Sequence, residues 1–311
     1  MKYVFFINPA AGKGKGPEIL VPAIKNYFKD NKNYEIVITS APGDAKAQAE
    51  EMAKRGEEAT FFACGGDGTF YEVLNGACGY DNVNFGVIPC GSGNDFLKYF
   101  GPNEKFLDVA AQIEGKALPM DAIKTDDGYC MNLCNLGMDA VVADNMRYYK
   151  HLPFVSGSLA YKLAIVKVFL GKLGQKAKVW VDDKLIGTYD CLFAVCANGP
   201  VYGGGYKSAP SANPMDGKLN WLIVEKISKL KILKFIKMYE KGQHEQFPFC
   251  HLGECKKMKI ECEKPEPVSF DGEIVHKKSV CYELLKGAVK FVLPRGVFER
   301  FEPETAESVE S

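Results

Sequence analysis

The stretch Thr60-Phe61-Phe62-Ala63-Cys64-Gly65-Gly66-Asp67-Gly68-Thr69 joins an apolar run directly to three glycines around one acid. The run has the length and composition of a buried strand, and Phe70–Gly76 after it has helical spacing. Glycines let the chain turn sharply and let a phosphate reach main-chain N–H groups at the positive end of a helix. The pattern therefore predicts either a phosphate-binding strand–helix junction or a tight turn in which Asp67 caps the helix.

Two neighbouring apolar runs end in similar loops. Tyr3–Ile7 leads into the Gly- and Lys-rich segment Asn8–Gly16, and Phe85–Ile88 leads into Pro89–Phe96, which contains Gly91 and Gly93. Because the carboxyl ends of parallel strands share one edge of a sheet, the three loops are expected to converge where open α/β sheets bind ligands. The first loop alone is equally compatible with an ordinary surface loop, since no Gly-Lys-Ser/Thr completes a Walker motif.

The order of patterns along the chain predicts two domains. Strand patterns, including Tyr34–Thr39, alternate with helical patterns at Ile19–Phe28 and Ala45–Arg55, which is typical of a parallel sheet. We expect a Rossmann-like, three-layer α/β nucleotide-binding domain over residues 1–122. Short β-branched and aromatic runs then predict an antiparallel β-sandwich over 123–294, with helices near 156–172 and 228–241, before 295–311 return to the first domain. These runs are Val179–Val181, Leu192–Ala197, Leu219–Val224, Met258–Cys262 and Ala288–Leu293.

Composition excludes several classes of protein. Lys plus Arg and Asp plus Glu number 39 each, so no bulk charge favours nucleic acid as a partner. The apolar N-terminus stops at Asn8-Pro9 without a cleavage site, and the longest apolar stretch, Leu159–Leu170, is interrupted by Lys162 and Lys167. The pattern predicts no transmembrane segment. Eleven cysteines, an odd number without a secretion signal, indicate reduced thiols in a cytoplasmic protein.

Two further motifs lie in the predicted β domain. Tyr202–Tyr206 contains three consecutive glycines and is followed by Pro214–Leu219, which contains an Asp-Gly pair. In Phe270–Glu273, one carboxylate stands on each side of a glycine. Each motif is also compatible with a simple turn.

Taken together and in order, these motifs resemble the diacylglycerol kinase catalytic-domain family, which includes soluble bacterial lipid kinases and sphingosine kinases. The motifs are Asn-Pro-x-x-Gly from Asn8, Gly-Gly-Asp-Gly-Thr from Gly65, Gly-Ser-Gly-Asn-Asp-Phe from Gly91, the Gly-Gly-Gly…Pro…Asp-Gly segment over 203–217, and Asp-Gly-Glu from Asp271. The resemblance extends from Asn8 to about Leu293. Gly-Gly-Asp-Gly alone also occurs in NAD kinases and phosphofructokinases, so the ordered set carries the resemblance.

The resemblance implies a kinase that uses ATP and Mg²⁺ to phosphorylate a lipid hydroxyl, most simply converting diacylglycerol to phosphatidic acid. The implied nucleotide-binding residues are Asn8, Pro9, Ala10, Ala11, Gly12, Thr39, Gly65, Gly66, Asp67, Gly68, Thr69, Glu72, Gly91, Ser92 and Asn94. The alternatives are an NAD kinase-like small-molecule kinase and a catalytically silent lipid-binding regulator.

The resemblance also implies the acidic residues. A network of Asp67, Asp95 and Asp121 would hold Mg²⁺ through water, and Asn213, Asp216 and the carbonyl of Lys218 would form a structural metal site. Asp67 is also implied as a catalytic residue. Asp271 and Glu273 match the family's catalytic acidic motif. One of the two would accept the proton of the lipid hydroxyl or help to hold metal, and their roles stay unassigned here.

Two segments bear on the membrane lipid as a partner. Leu152–Val155 with Leu159–Leu170 is apolar on most faces, which indicates burial in a core or along a cleft that admits acyl chains. Ser228–Lys241 is amphipathic, with Lys229, Lys231, Lys234 and Lys237 forming either a solvated face or a contact with anionic headgroups. We expect a protein peripherally associated with the bilayer surface, and its oligomeric state, including a homodimer, stays open.

Overall fold

The computed structural model describes residues 1–91, 93–150, 157–171 and 173–301. The chain divides into two compact units. Unit 1 comprises Met1–Pro119 with Val289–Ser311, and unit 2 comprises Met120–Ala288. Each is described by itself below.

Unit 1 alternates strands and helices as the sequence patterns predict. Its elements are β1 (Lys2–Ile7), α1 (Gly16–Phe28), β2 (Tyr34–Ile38), α2 (Asp44–Lys54), β3 (Ala59–Gly65), α3 (Asp67–Ala77), β4 (Val83–Pro89), α4 (Val109–Ile113) and the start of β5 (Lys116–Thr125). The last residues of β13 (Glu273–Leu293) complete its sheet. The strand order β2-β1-β3-β4-β13 is parallel at every pairing.

The sheet of unit 1 is buried on both faces. All seven residues of β3 are buried, which explains their continuous apolar run. On one face, Leu20, Ile24 and Phe28 of α1 recur every four residues and pack against Phe5 and Phe62. The residues that alternate with these on β1 and β3 face the other way and are buried as well, so helices cover the sheet on two sides.

Unit 2 is dominated by antiparallel strands. Its elements after β5 are β6 (Gly128–Cys130), β7 (Leu133–Gly137), α5 (Met138–Lys150), α6 (Gly157–Leu170), β8 (Gln175–Val181), β9 (Lys184–Ala197), β10 (Leu219–Glu225), α7 (Lys229–Glu240), β11 (Cys250–Cys255), β12 (Lys257–Phe270) and most of β13. The order is β11-β10-β9-β7-β12-β13, and β8 also bridges β9 and β12.

The core of unit 2 lies between α7 and the sheet. Ile232, Phe235 and Tyr239 lie on one face of α7 and pack against β9 and β10 residues such as Phe193 and Val224. The ring of Tyr239 stacks on that of Phe193, with centroids 5.2 Å apart. The predicted fold class, an α/β domain followed by an antiparallel β domain, is confirmed. Among the described helices, none is long and apolar enough to cross a bilayer.

His244 provides a test of this core. It is 1% exposed, lies beside Tyr239, and its Nε2 is 3.1 Å from the carbonyl oxygen of Ser208. Burial lowers its pKa below 6.5. Since the unfolded chain then binds the proton more readily, the stability provided by the neutral ring is present above pH 6.5 and is lost as the pH falls below that value.

We therefore expect the free energy of unfolding to fall more in the wild type than in His244→Gln when the pH is lowered from about 7 to about 5. The glutamine amide can donate to the same Ser208 carbonyl but does not titrate. Urea titrations at the two pH values measure the difference. Equal losses in both proteins would contradict the buried neutral histidine.

Candidate functional site

The junction between β3 and α3 is shaped by close approach to the loop after β4. Gly66 precedes α3 in an extended conformation, and no side chain caps the helix. The N–H groups of Cys90 and Gly91 both donate to the carbonyl of Gly65, at 2.9 and 3.0 Å. A Cβ on Gly91 would lie 2.6 Å from Gly66 Cα, so only glycine allows the two backbones to pass.

Asp67 organises the loop after β4. Its carboxylate accepts the N–H of Asn94 at 2.7 Å and that of Asp95 at 2.9 Å. Burial raises its pKa, the negative charge of Asp95 raises it further, and the two N–H donors partly oppose both effects. Asp95 itself pairs with Lys98 at 2.5 Å. The structure thus brings the backbone of Asp95 to the carboxylate of Asp67, and their shared role in holding Mg²⁺ stays a prediction.

The loop after β1 joins the same edge. Asn8 donates from Nδ2 to the Thr69 hydroxyl at 3.2 Å and accepts the N–H of Ala10 at 2.9 Å. Gly12 begins a left-handed stretch with φ of 62°, and a Cβ there would meet the carbonyl of Cys90 at 3.2 Å. The three glycine-containing loops therefore contact one another at the carboxyl edge of the sheet.

The remaining predicted nucleotide residues lie around this edge. The Thr39 N–H donates to the carbonyl of Ile7 at 3.0 Å, next to the start of the first loop. Glu72, on α3, accepts the N–H of Gly43 at 2.9 Å. Pro9 and Ala11 belong to the segment after β1 already described, and Gly68 lies in the first turn of α3. Ser92 lies outside the described residues.

Asp271 and Glu273 have very different surroundings. Asp271 has a left-handed backbone with φ of 49°, and its carboxylate accepts the N–H groups of Met131, Asn132 and Leu133 at 2.6, 3.1 and 2.8 Å. Glu273 is about half exposed and pairs with Arg147 at 2.6 Å. One acid fixes a backbone segment and the other belongs to a surface ion pair.

Asp121 is buried and bonded to the segment that contains Asp216. Its carboxylate accepts the N–H of Gly217 at 2.6 Å and that of Gly287 at 2.8 Å, and its own N–H donates to the carbonyl of Pro214 at 2.7 Å. Burial raises the pKa of Asp216, and the nearby charge of Asp121 adds to the effect. The carboxylate of Asp121 is thus bonded to Gly217 and Gly287, and its predicted link with Asp67 and Asp95 stays a prediction.

Asn213 and Lys218 flank the same loop. The side chain of Asn213 accepts the N–H of Met215 at 3.0 Å, and Asp216 accepts that of Lys218 at 3.0 Å. The ammonium of Lys218 pairs with Glu254 at 2.7 Å. Its side chain is therefore directed to an ion pair, which leaves the backbone carbonyl as the predicted metal-facing group.

Family comparisons can be set against this geometry. A family model described as "Diacylglycerol kinase catalytic domain" matches residues 2–125. A second, described as "YegS C-terminal NAD kinase beta sandwich-like domain", matches residues 132–293, just over half of the chain. The chain belongs to the diacylglycerol kinase catalytic-domain family. The resemblance inferred from the ordered motifs is confirmed.

Individual relatives cover nearly the whole chain. In Bacillus subtilis (strain 168), YtlR is 27% identical over 293 residues, which span 88% of this chain and 93% of that protein. A diacylglycerol kinase of the same strain is 28% identical over 269 residues, spanning 86% and 88%. A crystal structure of a protein from Bacillus anthracis str. Sterne has a TM-score of 0.75 at 24% identity, covering 95% of this chain and 96% of that one, and supports the fold alone.

The edge of unit 1 has features that suit a phosphate-bearing ligand. The first N–H groups of α3 have no side-chain cap, and they lie where two glycines keep the backbone bare. Asn94 is 2% exposed, and neither polar atom of its side chain has a hydrogen-bond partner within the described residues. Buried amides are rarely left in this state, so Asn94 fits a site that a ligand completes.

The acidic side chains match the ligand requirements of Mg²⁺ less directly. Across residues 1–91, 93–150, 157–171 and 173–301, no three side chains of His, Cys, Asp or Glu are grouped so as to hold a metal ion. Mg²⁺ commonly keeps several waters and uses only one or two protein carboxylates, however. The pair of Asp67 and Asp95, and the pair of Asp121 and Asp216, each match that smaller requirement.

Sequence reasoning assigned no role to Gly93 and did not identify Asn198, and both support the site. Gly93 is required because a Cβ there would overlap the Asp67 carboxylate. Asn198 is fully buried and donates to the carbonyls of Asp121 and Met131, at 2.8 and 2.7 Å. The sequence did contain a signal for Asn198, because the pair Asn198-Gly199 directly follows a buried strand.

Proposed function

We propose that this protein transfers the γ-phosphoryl group of ATP to a hydroxyl of a membrane lipid, with diacylglycerol as acceptor and phosphatidic acid as product. The observation that carries the proposal is the convergence of three glycine loops on the uncapped start of α3. There, the carboxylate of Asp67 accepts hydrogen bonds from the loop after β4. Family membership supports the lipid as acceptor.

The residues of unit 1 would bind and orient the donor. Backbone N–H groups at the start of α3 suit the phosphates, since the helix dipole favours negative charge there. Asp67 holds the loop that carries Asn94, and Asn8 fixes Thr69. Mg²⁺, when bound, would neutralise phosphate charge, and Asp67 with Asp95 would hold it through water.

The acceptor side rests on Asp271 and Glu273. In the transfer, the lipid hydroxyl oxygen forms a bond to the γ-phosphorus, ADP leaves, and the hydroxyl proton passes to a base or to water. Three N–H donors engage the oxygens of Asp271, so its negative charge is strongly stabilised. We propose Asp271 as the acid that organises this part of the site and Glu273 as a peripheral group.

The deciding experiment supplies ATP labelled at the γ-phosphate and Mg²⁺ to the protein with a panel of lipids in mixed micelles. Label on diacylglycerol, dependent on Mg²⁺, is the expected result. Label on a different lipid alcohol would keep the reaction and change the acceptor. Label on NAD instead would replace the proposal with an NAD kinase-like activity, and label on no acceptor would favour a lipid-binding regulator.

The 213–218 loop allows a separate test of the metal. Because Asp216 lies near the charge of Asp121, a bound Mg²⁺ should relieve their repulsion and stabilise unit 2. We expect Mg²⁺ to raise the unfolding temperature of the wild type and of the exposed control Asp126→Asn, but not that of Asp216→Asn. An equal rise in all three proteins would exclude this loop as the metal site.

A further inference from the structure

Helix α6 presents an apolar surface to solvent. Its buried residues Ala160, Ala164 and Val168 recur every four positions and occupy one narrow face. Leu163, Val166 and Leu170 lie on another face and are 37%, 54% and 74% exposed. The helix therefore packs through small side chains and leaves its larger aliphatic ones outside.

Helix α7 continues this surface. The Nζ of Lys229 donates to the carbonyl of Leu170 at 3.0 Å, which places the start of α7 beside the end of α6. Leu230 and Leu233 are 83% and 58% exposed. We call the exposed residues of the two helices the α6–α7 surface; its leucines and valine are Leu159, Leu163, Val166, Leu170, Leu230 and Leu233.

The α6–α7 surface is strongly cationic. The two helices carry six lysines and one acid, Glu240, a formal charge of 6 − 1 = +5 in a chain whose net charge is zero. Within the described part of the chain, none of the six pairs with an acid. They are Lys162, Lys167, Lys229, Lys231, Lys234 and Lys237.

Aromatic rings extend the surface onto α5. The ammonium of Lys167 lies 5.8 and 5.7 Å from the ring centroids of Tyr148 and Tyr149, and Tyr148 is 64% exposed. Tyrosines together with exposed aliphatic side chains and lysines are the composition of surfaces that lie at a membrane–water interface.

We infer that the α6–α7 surface docks on an anionic bilayer, with its aliphatic side chains at the acyl boundary and its lysines among the headgroup phosphates. This inference rests on the proposed function, because a lipid kinase must reach its acceptor in a membrane. The lysines are attracted to an anionic surface, and burial of the leucines removes apolar area from water. A second copy is a poor occupant, since an isologous contact would oppose two charges of +5.

The test measures co-sedimentation of the protein, without ATP, with vesicles of phosphatidylcholine alone or mixed with phosphatidylglycerol. Leu170→Gln/Leu230→Gln is expected to lower binding to both kinds of vesicle by about tenfold or more. Lys231→Gln/Lys234→Gln is expected to lower binding to the anionic vesicles alone, by about tenfold. All four positions are exposed, so the fold should be unaffected.

Matched controls change the same residue types elsewhere. Leu107→Gln/Leu185→Gln alters leucines that are 47% and 51% exposed, and Lys176→Gln/Lys178→Gln alters exposed lysines of β8. Both are expected to bind like the wild type. Turnover of a short-chain diacylglycerol dissolved as monomers should be equal in all variants, which separates docking from catalysis.

Three outcomes would overturn the inference. The first is wild-type vesicle binding by either surface variant. The second is an equal loss in the matched controls. The third is that the wild type sediments as a dimer and the variant Leu170→Gln/Leu230→Gln as a monomer. A second copy of the chain, and not a bilayer, would then cover the α6–α7 surface. Absence of lipid phosphorylation would reject the proposed kinase activity but leave the binding comparison readable.

Discussion

Asp271→Asn is expected to reduce lipid phosphorylation by about a thousandfold and the free energy of unfolding by about 2 kcal/mol. Asparagine keeps one oxygen but turns the other acceptor into an NH₂ donor, which would face the N–H groups of Met131, Asn132 and Leu133. The backbone that the carboxylate now holds would shift. Steady-state phosphorylation assays and urea titrations measure the two effects.

Glu273→Gln is the matched comparison, two residues away. It removes a half-exposed ion pair with Arg147, and such pairs contribute little to stability. We expect a loss of activity below about tenfold and no measurable change in unfolding. If Glu273→Gln lost as much activity as Asp271→Asn while staying folded, the proposed order of importance would be wrong and Glu273 would be the better candidate base.

Gly91→Ala is expected to disrupt the carboxyl edge of the sheet of unit 1, where the three glycine-containing loops meet. The added Cβ would lie 2.6 Å from Gly66 Cα and 2.8 Å from its nitrogen, and both atoms belong to backbone that cannot rotate away. Relief requires the two loops to separate, which also breaks the bonds from Cys90 and Gly91 to the carbonyl of Gly65. We expect a destabilisation of about 2 kcal/mol or more and loss of the stabilisation that ATP provides.

Gly66→Ala is the control on the opposite side of the same contact. A Cβ there meets only Gly91 Cα, at an ordinary 3.6 Å, and the φ of −104° suits any residue. We expect this variant to unfold like the wild type. Thermal unfolding of both variants with and without ATP separates the effects, and a Gly91→Ala protein of wild-type stability would show that the two backbones are not in close contact.

Much of this architecture could be predicted because local patterns decide it. The run Ala59–Ala63 had to be a strand, and the structure extends it only to Gly65. The helix predicted at 228–241 is Lys229–Glu240, since the spacing of Ile232 and Phe235 matches a single buried face. Glycines beside strand ends identified the loops of unit 1, because glycine is required where backbones approach closely.

Other features depend on contacts that no local pattern encodes. Helix α5 (Met138–Lys150) was not predicted; only Gly137, the last residue of β7, precedes it, and polar residues such as Asp139 interrupt its apolar spacing. Asp139 is partly buried and accepts a hydrogen bond from the Tyr202 hydroxyl at 2.5 Å, a partner 63 positions away. The bonds of Asp121 to Gly217 and Gly287 span 96 and 166 positions, so the bonding partners of an acid could not be predicted from its motif.

The last strand also has a consequence for how the chain matures. β13 begins in unit 2 and ends in unit 1, where Phe291 pairs with Phe85 of β4 and is fully buried. Unit 2 is continuous from Met120 to Ala288, but unit 1 lacks Val289, Phe291 and Leu293 until the final segment has left the ribosome. Although synthesis begins with unit 1, unit 2 is the first that can be completed, so nascent chains would carry an unfinished unit 1 until the residues from Val289 to Leu293 have emerged.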